Sequence, residues 1–208
     1  MRYADYLRKR LDYLERCNAH IEEKLEDDKE QLCSRLNSGE LNPQDRSYKD
    51  ARFEIEIIAQ TFRYSMLVAI CTFLEESINS ITEGLVPDYH MRLKNENRGT
   101  WLRKHLQMLA WSAGLDMKPI EKEQSMSEDI ILLRNTIAHA WGRVQASKAA
   151  PKLREIVCQY QWVEITGDGF FELTDQAIPE TMIVPEEIID HILRLPGAET
   201  ISLQDDRR

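Results

Sequence analysis

Residues 66–74, Met-Leu-Val-Ala-Ile-Cys-Thr-Phe-Leu, are the most apolar stretch of this 208-residue chain. A helix that is apolar almost all round is buried on most of its sides. The stretch therefore predicts the central helix of a helical bundle. Helical spacing extends over residues 48–84, and Gly84 with the nearby Pro87 is expected to end the helix.

Further helices are predicted on both sides of this central helix. Residues 2–36 carry apolar side chains every three or four positions and predict a long helix with a charged outer face. This helix and the central one are expected to be antiparallel and each longer than 25 residues. Residues 101–113 predict a shorter helix capped by Thr100, and residues 125–145 predict another.

The pattern changes near the C-terminal end of the chain. Residues 160–174 contain two β-prone runs separated by Gly-Asp-Gly, which predicts a β-hairpin. A last helix is predicted over residues 185–195, with a proline at its first position. The fold class is therefore mainly α, a helical bundle with a short hairpin and a C-terminal helix. We expect one domain over residues 1–197 and a frayed tail over 198–208.

Charge and cysteine content narrow the protein class. The net charge of −9 argues against a general nucleic-acid coat protein, but residues 89–160 alone carry +5. That basic region either attracts a polyanion or is uneven surface charge without consequence. The longest unbroken apolar run, residues 66–71, is too short to cross a bilayer, and no secretory signal is seen. Four widely spaced cysteines indicate reduced thiols and a cytoplasmic protein without membrane attachment.

The stretch with the clearest chemistry is Leu-Leu-Arg-Asn-Thr-Ile-Ala-His-Ala-Trp-Gly-Arg, residues 132–143. On a helical wheel at about 100° per residue, Asn135 and His139 lie one turn apart on the same side. Arg143 would follow one turn later, and the long Arg134 side chain can swing toward this stripe. All four residues are expected to lie off the core-facing arc of their helix, which comprises Ile130, Leu133, Ile137, Ala140, Trp141 and Val144.

Ile131 and Leu132 are also predicted on the polar side of that helix. A helix face that meets only water has no reason to carry two large aliphatic side chains. A second copy of the chain would cover them in a two-fold homodimer, which is the commonest oligomeric arrangement. The alternative is that the N-terminal helix or the hairpin of the same chain covers them.

The motif resembles the signature of the HEPN superfamily, in which Arg is followed by four to six residues and then His, often with a polar residue after the Arg. Arg134, Asn135 and His139 match this pattern. Residues 62–77 are also loosely similar to the second helix of such domains. The toxin branch that is silenced by nucleotidyltransferases has Tyr two residues after the His. Trp141 stands there in this chain and cannot accept an adenylyl group.

The resemblance implies an endoribonuclease that needs no metal or cofactor and acts as a toxin of a toxin–antitoxin pair or as an antiviral defence effector. His139 would transfer protons, Arg134 would stabilise charge on the phosphate, and Asn135 would either orient His139 or hold a phosphate oxygen. One histidine cannot readily serve as base and acid together, so a homodimer would supply the second. RNA contacts are expected from the basic residues Arg98, Arg103, Lys104 and Arg143. No H-E-x-x-H or C-x-x-C spacing indicates a metal site.

Two other functional interpretations stay open. The first is a non-catalytic HEPN-type domain that binds a nucleotide, RNA or a protein partner such as an antitoxin or regulator. The second is a helical interaction protein in which the Arg-to-His spacing is accidental. Glu75 follows the apolar block and lies beside Cys71 and Val68 on the wheel, which favours partial burial, whereas most such carboxylates are solvated or paired.

Overall fold

The computed structural model describes residues 3–89, 100–198 and 201 and confirms a mainly α fold with a small β-hairpin. Within the described residues the α-helices are α1 (Tyr3–Asn37), α2 (Arg46–Leu85), α3 (Trp101–Ala113), α4 (Glu121–Ala140), α5 (Ala150–Gln159) and α6 (Ala177–Ile192), and the antiparallel strands are β1 (Val163–Ile165) and β2 (Phe171–Leu173).

Helix α2 is the centre of the bundle, as the apolar stretch predicts. It packs against α1, α3, α4, α6 and β2, so its apolar block is enclosed by most of the other elements. Leu67, Phe73 and Ile78 are almost completely buried. By length and composition alone α2 could also cross a membrane, a property that core helices of bundles share. The short apolar run noted in the sequence therefore understates how apolar the whole helix is.

Helices α1 and α2 are 35 and 40 residues long and antiparallel, which confirms both expectations. Two ion pairs far apart along the helices fix their alignment. Arg10 Nη1 lies 3.0 Å from Glu76 Oε2, and Arg63 Nη2 lies 2.7 Å from Glu22 Oε2. Because the Arg63 guanidinium is buried, its pairing with Glu22 compensates a desolvation that an unpaired charge could not tolerate.

The predicted hairpin forms, and side chains of α2 complete its outer edge. Gln60 Nε2 donates to the Leu173 carbonyl at 2.9 Å, and Gln60 Oε1 accepts from the Leu173 amide at 3.0 Å. Arg63 Nη1 donates to the same carbonyl at 3.0 Å, and the Tyr64 hydroxyl donates to the carbonyl of Phe171. These contacts satisfy backbone groups that an exposed edge strand would leave open to other chains.

Helix α4 ends at Ala140, so the prediction that it continues to residue 145 is wrong. Gly142 has a φ of 79°, and a Cβ there would lie 2.8 Å from the Tyr64 hydroxyl, so the position requires glycine. Beyond the helix the chain pairs with the hairpin. The Phe171 amide donates to the Gly142 carbonyl at 3.0 Å, and the Val144 amide donates to the Gly169 carbonyl at 2.9 Å. The hairpin thus forms hydrogen bonds with backbone groups that would have bonded within the helix if α4 were longer.

The C-terminal region holds three further corrections. Helix α5 was not predicted, although its buried residues Leu153 and Ile156 have helical spacing, because the predicted helix over 125–145 and the hairpin from 160 left these residues unassigned. Helix α6 begins at Ala177, so Pro185 lies inside it rather than at its first position. Of the tail predicted to fray over residues 198–208, Ala198 is buried and residue 201 packs against the core, and the other residues lie outside those that the structure describes.

A buried histidine on α3, His105, contacts Tyr89, which follows α2. Its Nδ1 lies 2.8 Å from the Trp101 carbonyl, and its Nε2 is hydrogen-bonded at 2.7 Å to the Tyr89 hydroxyl, which donates to Asn79 Oδ1. The Trp101 ring lies 4.1 Å from the imidazole, centroid to centroid. Burial lowers the pKa of His105, so the neutral ring is the form that this site accepts.

This burial predicts a specific loss of stability in acid. The unfolded chain protonates His105 near its ordinary pKa of 6.5, while the folded chain resists protonation. Below that pH the unfolded state therefore binds more protons, and the free energy of unfolding falls as the pH falls. Urea unfolding at pH 7.5 and 5.0 should show a smaller difference in His105→Gln than in wild type. The exposed His20→Gln should retain the wild-type difference, and an unchanged difference in His105→Gln would contradict the assignment.

Candidate active site

The motif residues lie in the C-terminal half of α4, where they differ in exposure. His139 is exposed in the last turn of the helix, where the helix dipole favours a cation, and Asn135 is half-buried one turn earlier. Within the described part of the chain, no side-chain hydrogen bond is found for either residue. No direct contact between the two side chains therefore supports the prediction that Asn135 orients the His139 ring, although the two residues share a face of the helix.

Arg134 points toward the central helix. Its Nη2 forms a short ion pair with Glu75 Oε1, and both side chains are partly buried between α4 and α2. The sequence left open whether Glu75 is partly buried or simply solvated or paired, and the structure shows it both partly buried and paired. Arg134 Nε is buried without a hydrogen-bond partner among the described residues. The guanidinium is thus fixed by Glu75, and its buried Nε–H is a donor that solvent does not reach.

Cys71 lies beneath this ion pair. Burial raises the pKa of the Cys71 thiol to about 12, and the neighbouring Arg134 offsets only part of that rise. The thiol is therefore neutral at physiological pH and unsuited to nucleophilic attack. Cys71 forms the apolar floor under Arg134, and that floor limits access of water to the guanidinium from below.

Trp141 and Arg143, which both follow α4, do not lie where the sequence predicted them. Arg143 was predicted on the stripe of Asn135 and His139, but it lies beyond the end of α4 with its guanidinium 5.1 Å from the Phe170 ring centroid. Trp141 was predicted in the core-facing arc, but it is 84% exposed and has a left-handed φ of 52°. Both errors follow from the early end of α4, since residues past Ala140 no longer keep helical spacing.

The other predicted RNA contacts are only partly brought to this region. Arg98 lies outside the described residues. Arg103 is exposed and Lys104 is half-buried in the first turn of α3. The start of α3 lies beside Glu128, whose Oε1 accepts a 3.0 Å hydrogen bond from the Thr100 hydroxyl. Glu128 precedes the exposed motif histidine by eleven residues, about 16 Å along a helix.

Ile131 and Leu132 do not argue for a second copy of the chain. Both are half-buried and pack against the core of their own protomer. Helix α4 packs mainly on α2, α3, α5 and α6, so the buried parts of both side chains are covered by their own chain, rather than chiefly by the N-terminal helix or the hairpin that the alternative named. A proposal of a homodimer therefore needs support from a different observation.

Comparison with protein-family models finds no match, and neither the curated proteins nor the solved structures contain a similar one. The HEPN resemblance thus depends on the motif residues and their structural context. Among the described residues, no group of three or more His, Cys, Asp and Glu side chains is arranged to hold a metal ion.

Sequence reasoning identified the motif but not the partners that shape it. Glu75 lies 59 positions before Arg134, and no short-range spacing connects them. The position of Glu75 directly after the apolar block was the one signal in the sequence that this residue is partly buried. The exposure of Trp141 had a local signal in the following Gly142, because glycine just past a helical pattern marks a helix end.

The Glu75–Arg134 ion pair predicts that Arg134 stabilises the fold in addition to any part it has in chemistry. The helical wheel did not indicate this, because it placed Arg134 off the core-facing arc. Glu75→Gln keeps the side-chain shape and removes the charge, so it should lower the free energy of unfolding by about 1 kcal/mol. Glu76→Gln is the matched control, because its partner Arg10 forms a more exposed pair. Urea unfolding measures both, and equal effects of the two changes would argue against a special role for Glu75.

Proposed function

We propose that this protein is a metal-independent endoribonuclease of HEPN type, acting as a toxin or as a phage-defence effector in the cytoplasm. The observation that supports it is an exposed His139 on the same helix as Arg134, whose guanidinium is held by Glu75 between α4 and α2. The basic character of residues 89–160 in an otherwise acidic chain favours an anionic substrate. Free cysteines throughout fit a reducing compartment.

The proposed reaction uses the 2′-hydroxyl of RNA as the nucleophile. His139 removes its proton, the oxygen attacks phosphorus, and the bond to the 5′-oxygen breaks. A second acid protonates the leaving oxygen, which gives a 2′,3′-cyclic phosphate and a 5′-hydroxyl. Arg134 stabilises negative charge on the non-bridging oxygens, since a guanidinium binds phosphate through two parallel hydrogen bonds.

The second acid is the reason for proposing a homodimer. A single His139 cannot hold and release a proton on opposite sides of the phosphorus in one step. Two-fold symmetry would bring the His139 of a partner copy to the other side of the same phosphate. Light scattering of the active protein should then give twice the 24.4 kDa chain mass.

One observation favours a second candidate function, a non-catalytic HEPN-type domain. Arg134 is engaged by Glu75, so it can act simply as an ion-paired link between α4 and α2. In that case the domain would bind a nucleotide, RNA or a regulatory partner without chemistry. The two functions differ in what they require of His139, because a purely structural Arg134 needs no exposed histidine five residues later.

Changes at His139 test the catalytic proposal. Total RNA incubated with pure protein in EDTA should be cleaved, and His139→Ala should lower the rate by about 10²–10⁴-fold, the usual contribution of a general acid–base group. Arg134→Lys should also lower it, because an ammonium cannot reproduce the planar fork. His20→Ala serves as the exposed-histidine control and should cleave normally.

Substrate chemistry gives a second criterion for the same proposal. An RNA with 2′-deoxyribose at the scissile position should resist cleavage, since it lacks the nucleophile. Cleavage of that substrate, or full activity in His139→Ala, would show the mechanism to be wrong. If wild type cleaves no RNA under any condition, the non-catalytic function replaces the catalytic one.

Trp141 is proposed to stack a nucleobase beside the reacting phosphate. Base stacking on an exposed aromatic side chain contributes about 1–3 kcal/mol, so Trp141→Ala should weaken single-stranded RNA binding about tenfold or more. Binding is measured with the His139→Ala protein so that the RNA stays intact. Trp111, which is 70% exposed on α3, supplies the control, and Trp111→Ala should bind normally. Equal losses in the two variants would count against stacking at Trp141.

A further inference from the structure

A groove of about 590 Å³ runs between α1 and α6, on elements that the proposed chemistry does not use. Both helices line it with the same spacing, i, i+3, i+4, i+7, i+10 and i+11, starting from Arg8 on α1 and from Pro179 on α6. Eleven residues of helix extend about 16 Å. Arg8 Nη2 pairs with Asp190 Oδ1 at 3.0 Å, so the helices are antiparallel here and the ion pair spans one end. The groove is long and narrow, as a docked helix requires.

The floor of the groove is apolar and its rim is acidic. Leu11, Met182 and Ile189 line the floor, and Ile183 is 51% exposed at its edge. The rim carries the carboxylates of Asp12, Glu15, Glu186 and Asp190 against the single guanidinium of Arg8. Asp12 and Asp190 are paired with arginines, whereas no ion pair among the described residues engages Glu15 or Glu186. An occupant that matches this surface has apolar anchors flanked by positive charges.

An independent feature of the groove wall is a buried polar atom without a partner. Asn18 is 7% exposed, lines the groove, and its Oδ1 accepts no hydrogen bond from the described residues. A buried acceptor left unpaired costs stability. A donor brought by an occupant would satisfy it, and lysine, arginine and amide side chains all carry one.

From these observations we propose that the groove binds a basic amphipathic helix of a partner protein. Apolar residues at three- and four-residue spacing enter the groove, lysines or arginines contact Glu15 and Glu186, and one donor reaches Asn18. The inference does not depend on RNA cleavage. A partner of this kind fits a regulatory protein better than a substrate, because the groove contains none of the motif residues.

The test uses an 18-residue fluorescein-labelled peptide of leucine and lysine, with the leucines at three- and four-residue spacing. Fluorescence anisotropy with the full chain should show saturable binding that weakens as salt is raised. The same peptide with glutamate in place of lysine, and a peptide of scrambled order, should bind at least tenfold more weakly.

Matched variants locate the binding. Ile183→Lys should weaken it about tenfold or more, while Ile58→Lys, at a site 50% exposed on α2, should not. Glu15→Lys with Glu186→Lys should weaken it more than Glu23→Lys with Glu30→Lys, which changes the net charge equally. Asn18→Leu should weaken binding and also raise the urea midpoint of the free protein, because it removes an unpaired buried acceptor. Weaker binding by a more stable protein cannot result from misfolding.

Three outcomes would overturn the proposal. Equal binding by the Ile183→Lys and Ile58→Lys proteins would place the peptide elsewhere. Equal binding of the scrambled peptide would show attraction to the acidic surface rather than docking of a helix. A wild-type dimer that Ile183→Lys converts into a monomer, as measured by light scattering, would show that a second copy of this chain occupies the groove.

Discussion

Burial of α2 between Ala59 and Thr82, on most of its sides, is the constraint on which the rest of this structure depends. Exposing its apolar block to water would lose a large hydrophobic free energy. Four other helices and the hairpin therefore surround it. The few polar groups of α2 that lie against these neighbours, such as Gln60, Arg63 and Glu75, then determine how each neighbour is aligned, because a buried polar group must be paired.

This division explains how much of the fold the sequence could predict. Periodicity located α1, α2 and α3 closely, since each buries a regular stripe, and the Gly-Asp-Gly turn located the hairpin. Periodicity failed as a predictor where backbone hydrogen bonds to distant residues compete with the hydrogen bonds of a helix. The end of α4 is such a place, because Gly142 bonds to Phe171 and Val144 to Gly169, 29 and 25 residues later. Pro185 misled the prediction of α6 because a proline within a helix and one at its start look the same in a sequence.

The candidate site shows the same limit on a smaller scale. The spacing from Arg134 to His139 is local, so the sequence could place both on one helix and His139 away from the core. The direction of a long side chain is not local, since it depends on what the neighbouring helix offers. Glu75 determines that direction for Arg134, and its position follows only from the packing of α4 on α2. Ile131 and Leu132 misled for the same reason, because their cover comes from other parts of the chain.

The pairing of Arg134 with Glu75 is compatible with phosphate chemistry and improves it in one respect. A guanidinium has five N–H donors, and the carboxylate engages only one edge of the fork. A free arginine on a helix surface would lose conformational entropy on binding a phosphate, whereas one held by Glu75 has already lost much of it. The cost is partial neutralisation of the positive charge that would attract the substrate. In a catalytic site other positive charges must then supply the attraction, and residues 89–160, which carry a net charge of +5, are where this chain concentrates them.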